Sequence, residues 1–220
     1  MTSMLLVGAL SRELRAAPPG VPTLETGVGS ARVERALDEI RELPDHVLHV
    51  GYCGGLRAGL AEGDLLLVTE VFGTSDALPP VTPTAIDLLR SALSRLPYRL
   101  AQGALVTVPT FVHEPTEKRA LAKRHQAVAC DMESAVVARW CAERGVHWSG
   151  VRVVSDTADH PILPSLRGPG GIDLHRFLRG WSHPATPLRA ARMLRGVRKA
   201  DRALAEALPA SLEALRRSDR

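Results

Sequence analysis

The chain has 220 residues, 45% of them hydrophobic and 24% charged, a balance typical of one globular domain of ordinary size. Aromatic residues make up only 4%, which argues against nucleic-acid-binding modules that stack bases on rows of aromatic rings. No apolar run is long enough for a transmembrane helix, and the first ten residues predict a strand and not a signal peptide. The formal charge of +4 is uneven, because residues 1–173 carry a net −3 and residues 174–220 a net +7. We therefore expect a soluble protein with a mildly acidic body and a basic C-terminal tail.

Short apolar runs alternate along the chain with segments whose apolar residues recur at helical spacing. In the first predicted helix, for example, Val33, Leu37 and Ile40 share one face. In chain order we predict strands at 4–9 and 21–26, a helix at 30–43, strands at 46–50 and 64–72, a helix at 83–96, a strand at 100–108, a helix at 115–124, a strand at 127–130, a helix at 132–144 and a strand at 148–155. Apolar strands that alternate with helices indicate an α/β fold whose largely parallel sheet is covered on both faces.

The end of the chain differs from the body in composition. Residues 157–171 are rich in proline and glycine, which predicts a long loop, mobile or closing as a lid. The tail that follows predicts basic helices with an apolar stripe made of Leu188, Ala191, Leu194, Val197, Leu204 and Leu208. We predict residues 1–180 as the α/β domain and residues 181–220 as a basic helical extension packed on it. Its basic face is interpreted as solvated, with peripheral contact to an anionic membrane surface or to nucleic acid as alternatives.

The spacing of the cysteines and histidines does not indicate a metal site. Cys53, Cys130 and Cys141 lie in apolar surroundings without CxxC spacing, which predicts buried free thiols in a reducing cytoplasm. His46 and His49 are three residues apart on a predicted strand and point to opposite faces, so they cannot share a metal ion. We expect no metal site and no cofactor.

Three carboxylates, Glu13, Glu133 and Asp156, follow predicted strands, and ligands of open α/β sheets bind beyond the carboxyl ends of the strands. Each also has a structural interpretation. Glu13 could be a solvated helix charge, Glu133 a favourable charge at a helix N-terminus, and Asp156 the cap of a turn. Asp131 could likewise cap the following helix, but that helix is apolar enough to be buried, so its carboxylates need partners or a task.

A family resemblance rests on six segments: VGALSRE at 7–13, TGVG at 26–29, VGYCGGL at 50–56, GDLLLV at 63–68, DMESA at 131–135 and RVVSDTAD at 152–159. In this order and spacing the chain resembles the nucleoside phosphorylase/nucleosidase superfamily, most closely the bacterial methylthioadenosine/S-adenosylhomocysteine nucleosidase type. The resemblance spans residues 4–180. It implies a single α/β domain with a central mixed, mostly parallel twisted sheet flanked by helices.

The resemblance also implies roles for individual residues in cleaving a purine N-ribosidic bond. Asp156 would protonate N7 of the leaving base, and Glu13 would activate the attacking water. Tyr52 replaces a serine that such nucleosidases usually carry, so we expect its bulk close to the ribose and Asp156. The implied substrate-binding residues are Glu133 and Met132 at the ribose, Ser155 beside the acid, Phe111 and Val112 at the base, and Tyr52, Gly54 and Ala9 around them.

Hydrolysis of a 5′-substituted adenosine is the reaction we favour, because Glu13 stands in the acid position typical of hydrolases and a carboxylate repels phosphate. Phosphorolysis stays open, since Arg32 or Arg152 could serve a phosphate. The basic tail resembles the hopanoid-associated branch, which implies a third function, removal of adenine from a lipid-linked adenosine at a membrane surface. A non-catalytic nucleoside-binding protein is the fourth. By resemblance we expect a homodimer with a small-molecule nucleoside substrate and no nucleic-acid partner.

Overall fold

A seven-stranded mixed sheet flanked by helices forms the centre of the protein in a computed structural model. The structure describes residues 3–74, 81, 83–159, 167–168, 171–172 and 186–217, with side chains from residue 194 onward in the last range. The strands are β1 (Met4–Gly8), β2 (Thr23–Glu25), β3 (His46–Gly55), β4 (Leu65–Gly73), β5 (Leu100–Thr107), β6 (Ala129–Asp131), β7 (His147–Asp156), β8 (Arg167–Gly168) and β9 (Gly171–Ile172). The helices are α1 (Ser11–Leu14), α2 (Ser30–Asp38), α3 (Ile86–Leu93), α4 (Pro115–His125), α5 (Ser134–Glu143) and α6 (Thr186–Arg217).

Most neighbouring strands of the large sheet run parallel. Their order is β2-β1-β3-β6-β5-β4-β7, and β7 also pairs with β3. Only the β3–β6 and β4–β7 pairs are antiparallel among the described strands of this sheet. The predicted α/β fold with a mixed, mostly parallel sheet is confirmed.

The strand β3 is longer than its apolar run predicts. It continues beyond the predicted strand 46–50 through the glycine-rich segment 51–55, because β7 pairs beside it along nearly its whole length. Near its end, Gly54 lies opposite both Cys130 of β6 and Asp156 of β7. The end of β3 therefore brings the ends of two other strands to one place.

Apolar side chains fill the space between the sheet and the helices on both faces. Val33 of α2 and Val137 of α5 belong to one buried cluster, and Leu89 of α3 and Leu204 of α6 belong to another. All three cysteines are buried and free, as predicted. The short helix α1 was not predicted from the sequence.

The basic tail forms one long helix, α6, whose apolar face joins the core. Val197, Leu204 and Leu208 of the predicted stripe are buried, whereas the side chains of Leu188 and Ala191 lie outside the described residues. Most of the predicted loop 157–171 lies outside them as well. The exposed face of α6 carries Arg195, Arg198, Lys199 and Arg202. Within the described ranges, no helix combines the length and apolar character needed to cross a membrane.

Because Leu204 is buried between α6 and the sheet, Leu204→Ala should lower the free energy of unfolding by about 2–5 kcal/mol. The control Leu88→Ala, at an exposed position of α3, should change it by less than about 0.5 kcal/mol. Urea denaturation followed by circular dichroism measures both. If Leu204→Ala lowered the free energy of unfolding as little as Leu88→Ala does, α6 would add little to the stability of the core.

Candidate active site

Four buried carboxylates gather around the end of β3: Glu13, Asp131, Glu133 and Asp156. Because β1 and β7 run parallel to β3, Glu13 follows β1 and Asp156 ends β7 on the same side of the sheet. The strand β6 runs antiparallel to the end of β3 and returns Asp131 towards the middle of that strand. The structure thus gathers the three carboxylates singled out in the sequence, together with Asp131.

The Glu13 carboxylate is held by three backbone hydrogen bonds. Its Oε2 accepts from the N–H groups of Ala9 at 2.7 Å and Leu10 at 2.9 Å, and its Oε1 from that of Tyr52 at 3.1 Å. Burial raises the pKa of Glu13, while the Arg152 charge and these N–H groups oppose the rise. A carboxylate has about four acceptor positions, so one is left for a further donor such as water. Burial excludes the interpretation of Glu13 as a solvated helix charge.

The Arg152 guanidinium lies inside this group of carboxylates. It donates to Asp131 Oδ2 at 2.9 Å, to Ser134 Oγ at 2.5 Å and to the ring nitrogen of His49 that carries no proton, Nδ1 at 3.0 Å or Nε2 at 2.9 Å. Burial and the Arg152 charge both lower the pKa of His49, which is therefore neutral and able to accept this bond. Asp131 also accepts from the Ser134 N–H at 3.1 Å, so it caps α5 while it neutralises Arg152.

Gly51 makes room for the Arg152 and Glu13 side chains, which both lie against it. It is the register partner of Arg152 and has a φ of 153°. A Cβ there would lie 2.8 Å from Arg152 Nη1 and 2.9 Å from Glu13 Oε1. Any other residue at this position would push the two charged groups apart.

Glu133 and Met132 stand at the start of α5, facing the turn before α2. Glu133 Oε1 accepts from the Gly29 N–H at 2.8 Å, and the Met132 methyl lies 4.0 Å from where a Cβ of Gly29 would be. Burial and the nearby Asp131 raise the pKa of Glu133 to about 7. Glu133 therefore changes its charge in the neutral range, unlike an ordinary glutamate.

Asp156 forms a buried ion pair with a residue that the sequence analysis did not single out. The Lys118 ammonium of α4 donates to Asp156 Oδ2, and Ser155 Oγ donates to Asp156 Oδ1 at 3.0 Å. Burial raises the pKa of Asp156, while Lys118 and Ser155 oppose the rise. Gly54 allows this approach, since a Cβ there would lie 3.3 Å from Lys118 Nζ. Asp156 thus has its own cation, separate from Arg152.

The Tyr52 side chain points elsewhere than expected. Its hydroxyl donates to Asp201 of α6, its ring lies 4.6 Å from the Arg12 guanidinium carbon, and it packs with the α6 cluster. The expectation that its bulk lies beside Asp156 is corrected, because Tyr52 shares a strand face with Leu48 and Val50. Among the described contacts, Tyr52 is hydrogen-bonded to the four carboxylates of the site through its backbone N–H, which donates to Glu13.

The two residues expected at the base follow β5. Val112 is buried in a cluster that includes Cys130 and borders Met132. The Phe111 ring is half-buried and lies nearly parallel to that of His113, with 6.4 Å between ring centroids. Val112 therefore packs beside the start of α5, and Phe111 offers a partly open aromatic face.

No group of three or more histidine, cysteine or acidic side chains has a metal-binding arrangement in the part of the chain that the structure describes. The chemistry of the site, as far as it is described, lies in carboxylates, two cations and backbone N–H groups.

The seven-stranded mixed sheet flanked by helices, with buried carboxylates around the end of β3, places the chain among α/β enzymes. The sequence model of the Phosphorylase superfamily matches residues 21–165, and the chain belongs to this family. The resemblance to this superfamily is confirmed, and five of the six segments lie within the matched residues, whereas the segment at 7–13 lies outside them.

Curated relatives are named 5′-methylthioadenosine/S-adenosylhomocysteine nucleosidase. That of an Exiguobacterium species is 26% identical over 63% of this chain and 68% of its own length. That of a Shewanella species is 27% identical over 64% and 71%.

Solved structures of similar fold include two enzymes of Helicobacter pylori. A methylthioadenosine nucleosidase variant with 5′-methylthioadenosine in its active site has a TM-score of 0.73 at 16% identity, covering 97% of this chain and 99% of that one. Native futalosine hydrolase has a TM-score of 0.71 at 17% identity, covering 96% and 97%. At these identities the likeness establishes the fold. Because it spans nearly the whole chain, the shared fold includes most of α6.

Gly51→Ala should lower the free energy of unfolding by about 2–4 kcal/mol, because the added methyl group forces Glu13 and Arg152 apart. Gly20→Ala is the matched control. Its φ of 81° is also unfavourable for alanine, but nothing lies within 4 Å of the new Cβ, so it should cost only about 1–2 kcal/mol. Urea unfolding measures both, and equal losses would contradict the steric role of Gly51.

Proposed function

We propose that the protein hydrolyses the N-ribosidic bond of a purine nucleoside, a 5′-substituted adenosine, and releases the free base. The observation that carries this proposal is the pair of buried carboxylates with separate cations, Glu13 beside Arg152 and Asp156 beside Lys118. Two carboxylates in different environments can take opposite roles, one as base and one as acid. The names of the nucleosidase relatives support the same reaction class.

In the proposed reaction, Asp156 gives a proton to N7 of the purine as the bond from C1′ to N9 breaks. The bonding electrons go to the base, and C1′ gains oxocarbenium character. Glu13 uses its remaining acceptor position to hold a water, whose oxygen bonds to C1′ while its proton passes to Glu13. Proton exchange with solvent then restores both carboxyls.

Residues around α5 would hold the substrate. An ionised Glu133 accepts from the ribose 2′- and 3′-hydroxyls, and Met132 packs on the sugar. Phe111 stacks on the base, and the Val112 backbone contacts its edge. The half-buried Phe111 ring and the burial of Glu133 support these assignments.

Hydrolysis is favoured over phosphorolysis by the charges near Glu13. Arg152 already donates to Asp131, Ser134 and His49, and His49 is neutral. Arg152, one of the two cations left open for a phosphate, is thus already held by other partners, and a phosphate here would meet the Glu13 carboxylate.

A lipid-linked adenosine is the second candidate substrate, and the exposed basic face of α6 favours it. Arg198, Lys199 and Arg202 are exposed on a helix whose opposite face is in the core, so they face the side from which anionic lipid headgroups would approach. The two substrates differ only in the 5′ group, and the chemistry at C1′ is the same.

Asp156→Asn should lower kcat by about 10²–10⁴-fold, because the amide cannot donate the proton that the base needs. The control Asp159→Asn, at an exposed position three residues on, should match wild type. Adenine release is followed by chromatography with 5′-methylthioadenosine and with adenosines carrying longer 5′-alkyl chains in anionic vesicles, each with and without phosphate.

Three results of this screen would contradict parts of the proposal. Base release only in the presence of phosphate would make the protein a phosphorylase. Full activity of Asp156→Asn would remove the role of Asp156. Base release from no nucleoside, with binding retained, would leave a nucleoside-binding protein.

The acidic side of the pH profile should reflect Glu133 and Glu13, which both act as carboxylates. Burial raises both pKa values, that of Glu133 to about 7, so kcat/KM should fall as pH drops below about 7. In Glu133→Gln the rate should be lower, and the part of the acid limb that Glu133 causes should be lost. The control Glu34→Gln, exposed on α2, should keep the wild-type profile. A wild-type profile flat down to pH 5 would contradict this assignment.

A further inference from the structure

Lys118 is a lysine without solvent contact in a helix that is otherwise rich in exposed charge. Its side chain is 0% exposed, and that of Asp156 is 3% exposed. The other cations of α4, Arg119, Lys123 and Arg124, are all exposed. Of these four cationic side chains of α4, only that of Lys118 is buried, and it lies against Asp156.

Stability alone is a weak reason for such a pair. Removing two charges from water costs several kcal/mol for each ion, and their attraction repays this only in good geometry. At Asp156 the pair also has a chemical consequence. An ionised Asp156 has no proton of its own for a leaving base, whereas the ammonium that donates to its Oδ2 carries one.

We propose that Lys118 holds the proton that Asp156 passes to N7 of the leaving base. This inference rests on the proposed nucleosidase function. As C1′–N9 breaks, a proton moves from Lys118 Nζ to Asp156 Oδ2, and a proton moves from the carboxyl to N7. Lys118 is left as a neutral amine, Asp156 is again a carboxylate, and the amine regains its proton from solvent after release of the base. Lys118 acts through Asp156 and is a positioning residue.

The other titratable groups around the pair do not supply this proton in place of Lys118. Cys53 of β3 and Cys130 of β6 are thiols whose pKa values burial raises, that of Cys130 to about 12, so both stay neutral. Glu62, before β4, adds a negative charge that acts on Asp156 and is half-buried. No other titratable side chain of the described residues makes a hydrogen bond or ion pair with Asp156.

The test compares pH profiles of Lys118→Met and the control Lys123→Met, which removes an exposed lysine of the same helix. In Lys118→Met the transferable proton resides on Asp156 alone, so kcat/KM should fall about tenfold per pH unit above the midpoint of that carboxyl. Wild type and Lys123→Met should stay level between pH 7 and 9, because in both of them Lys118 still supplies the proton to Asp156. Parallel profiles for all three would overturn the proposal.

Lys118→Arg separates a proton store from a mere counter-charge, and it covers the case in which Lys118→Met does not fold. Arginine keeps the positive charge but does not release a proton in proteins. We expect kcat to fall at least about 10²-fold at every pH, with KM changed less. A folded Lys118→Arg variant with wild-type kcat and pH profile would show that only the charge matters, and would overturn the proposal.

Failure of this inference differs from failure of the proposed function. If wild type releases no base from any nucleoside, both are wrong. If wild type is active and Asp156→Asn is not, but the Lys118 variants keep the wild-type pH profile, only the role of Lys118 is wrong.

Discussion

The buried guanidinium of Arg152 is the charge around which the site is built. A full positive charge in the interior is tolerated only if partners offset it, and Asp131, Ser134 and His49 do so at Nη2, while the buried Nε has no hydrogen-bond partner among the described residues. Each partner belongs to a different element, so satisfying Arg152 fixes the end of β6, the start of α5 and the face of β3. Glu13 completes this arrangement from α1, where the field of Arg152 favours its ionised form.

The glycines at the end of β3 keep the two cations of the site apart. Gly51 lies against Arg152 and Glu13, and Gly54 lies against Lys118 and Asp156. A side chain at either position would displace charged groups, so the glycine-rich run is required by close approach and not by a turn. The separation gives each carboxylate its own electrostatic environment, which an acid and a base working on one bond both need.

The sheet and the acidic residues could be predicted because their signals are local. Apolar runs located the strands, and carboxylates after strands located Glu13, Glu133 and Asp156. The burial of Lys118 had a weaker sequence signal. Lys118 shares a helix face with Leu121 and Ala122, which pack on an apolar cluster. Choosing it from four cations required the tertiary contact with Asp156, which helical spacing does not contain.

The position of the Tyr52 side chain was predicted wrongly because the predicted strand ended at residue 50, whereas β3 continues to Gly55. Had the strand been extended past residue 50, its alternation would have put Tyr52 on the face of Val50, towards α6. A bulge then interrupts the pairing of β3 with β7, so that Gly54 lies opposite Asp156 and Ser155 has no partner in the register. The extra residue puts the Ser155 hydroxyl, which has a single proton to donate, 3.2 Å from the Cys53 carbonyl and 3.0 Å from the Asp156 carboxyl. Bulges near active sites re-aim side chains in this way, and here the bulge sets Asp156 against Lys118 across a glycine.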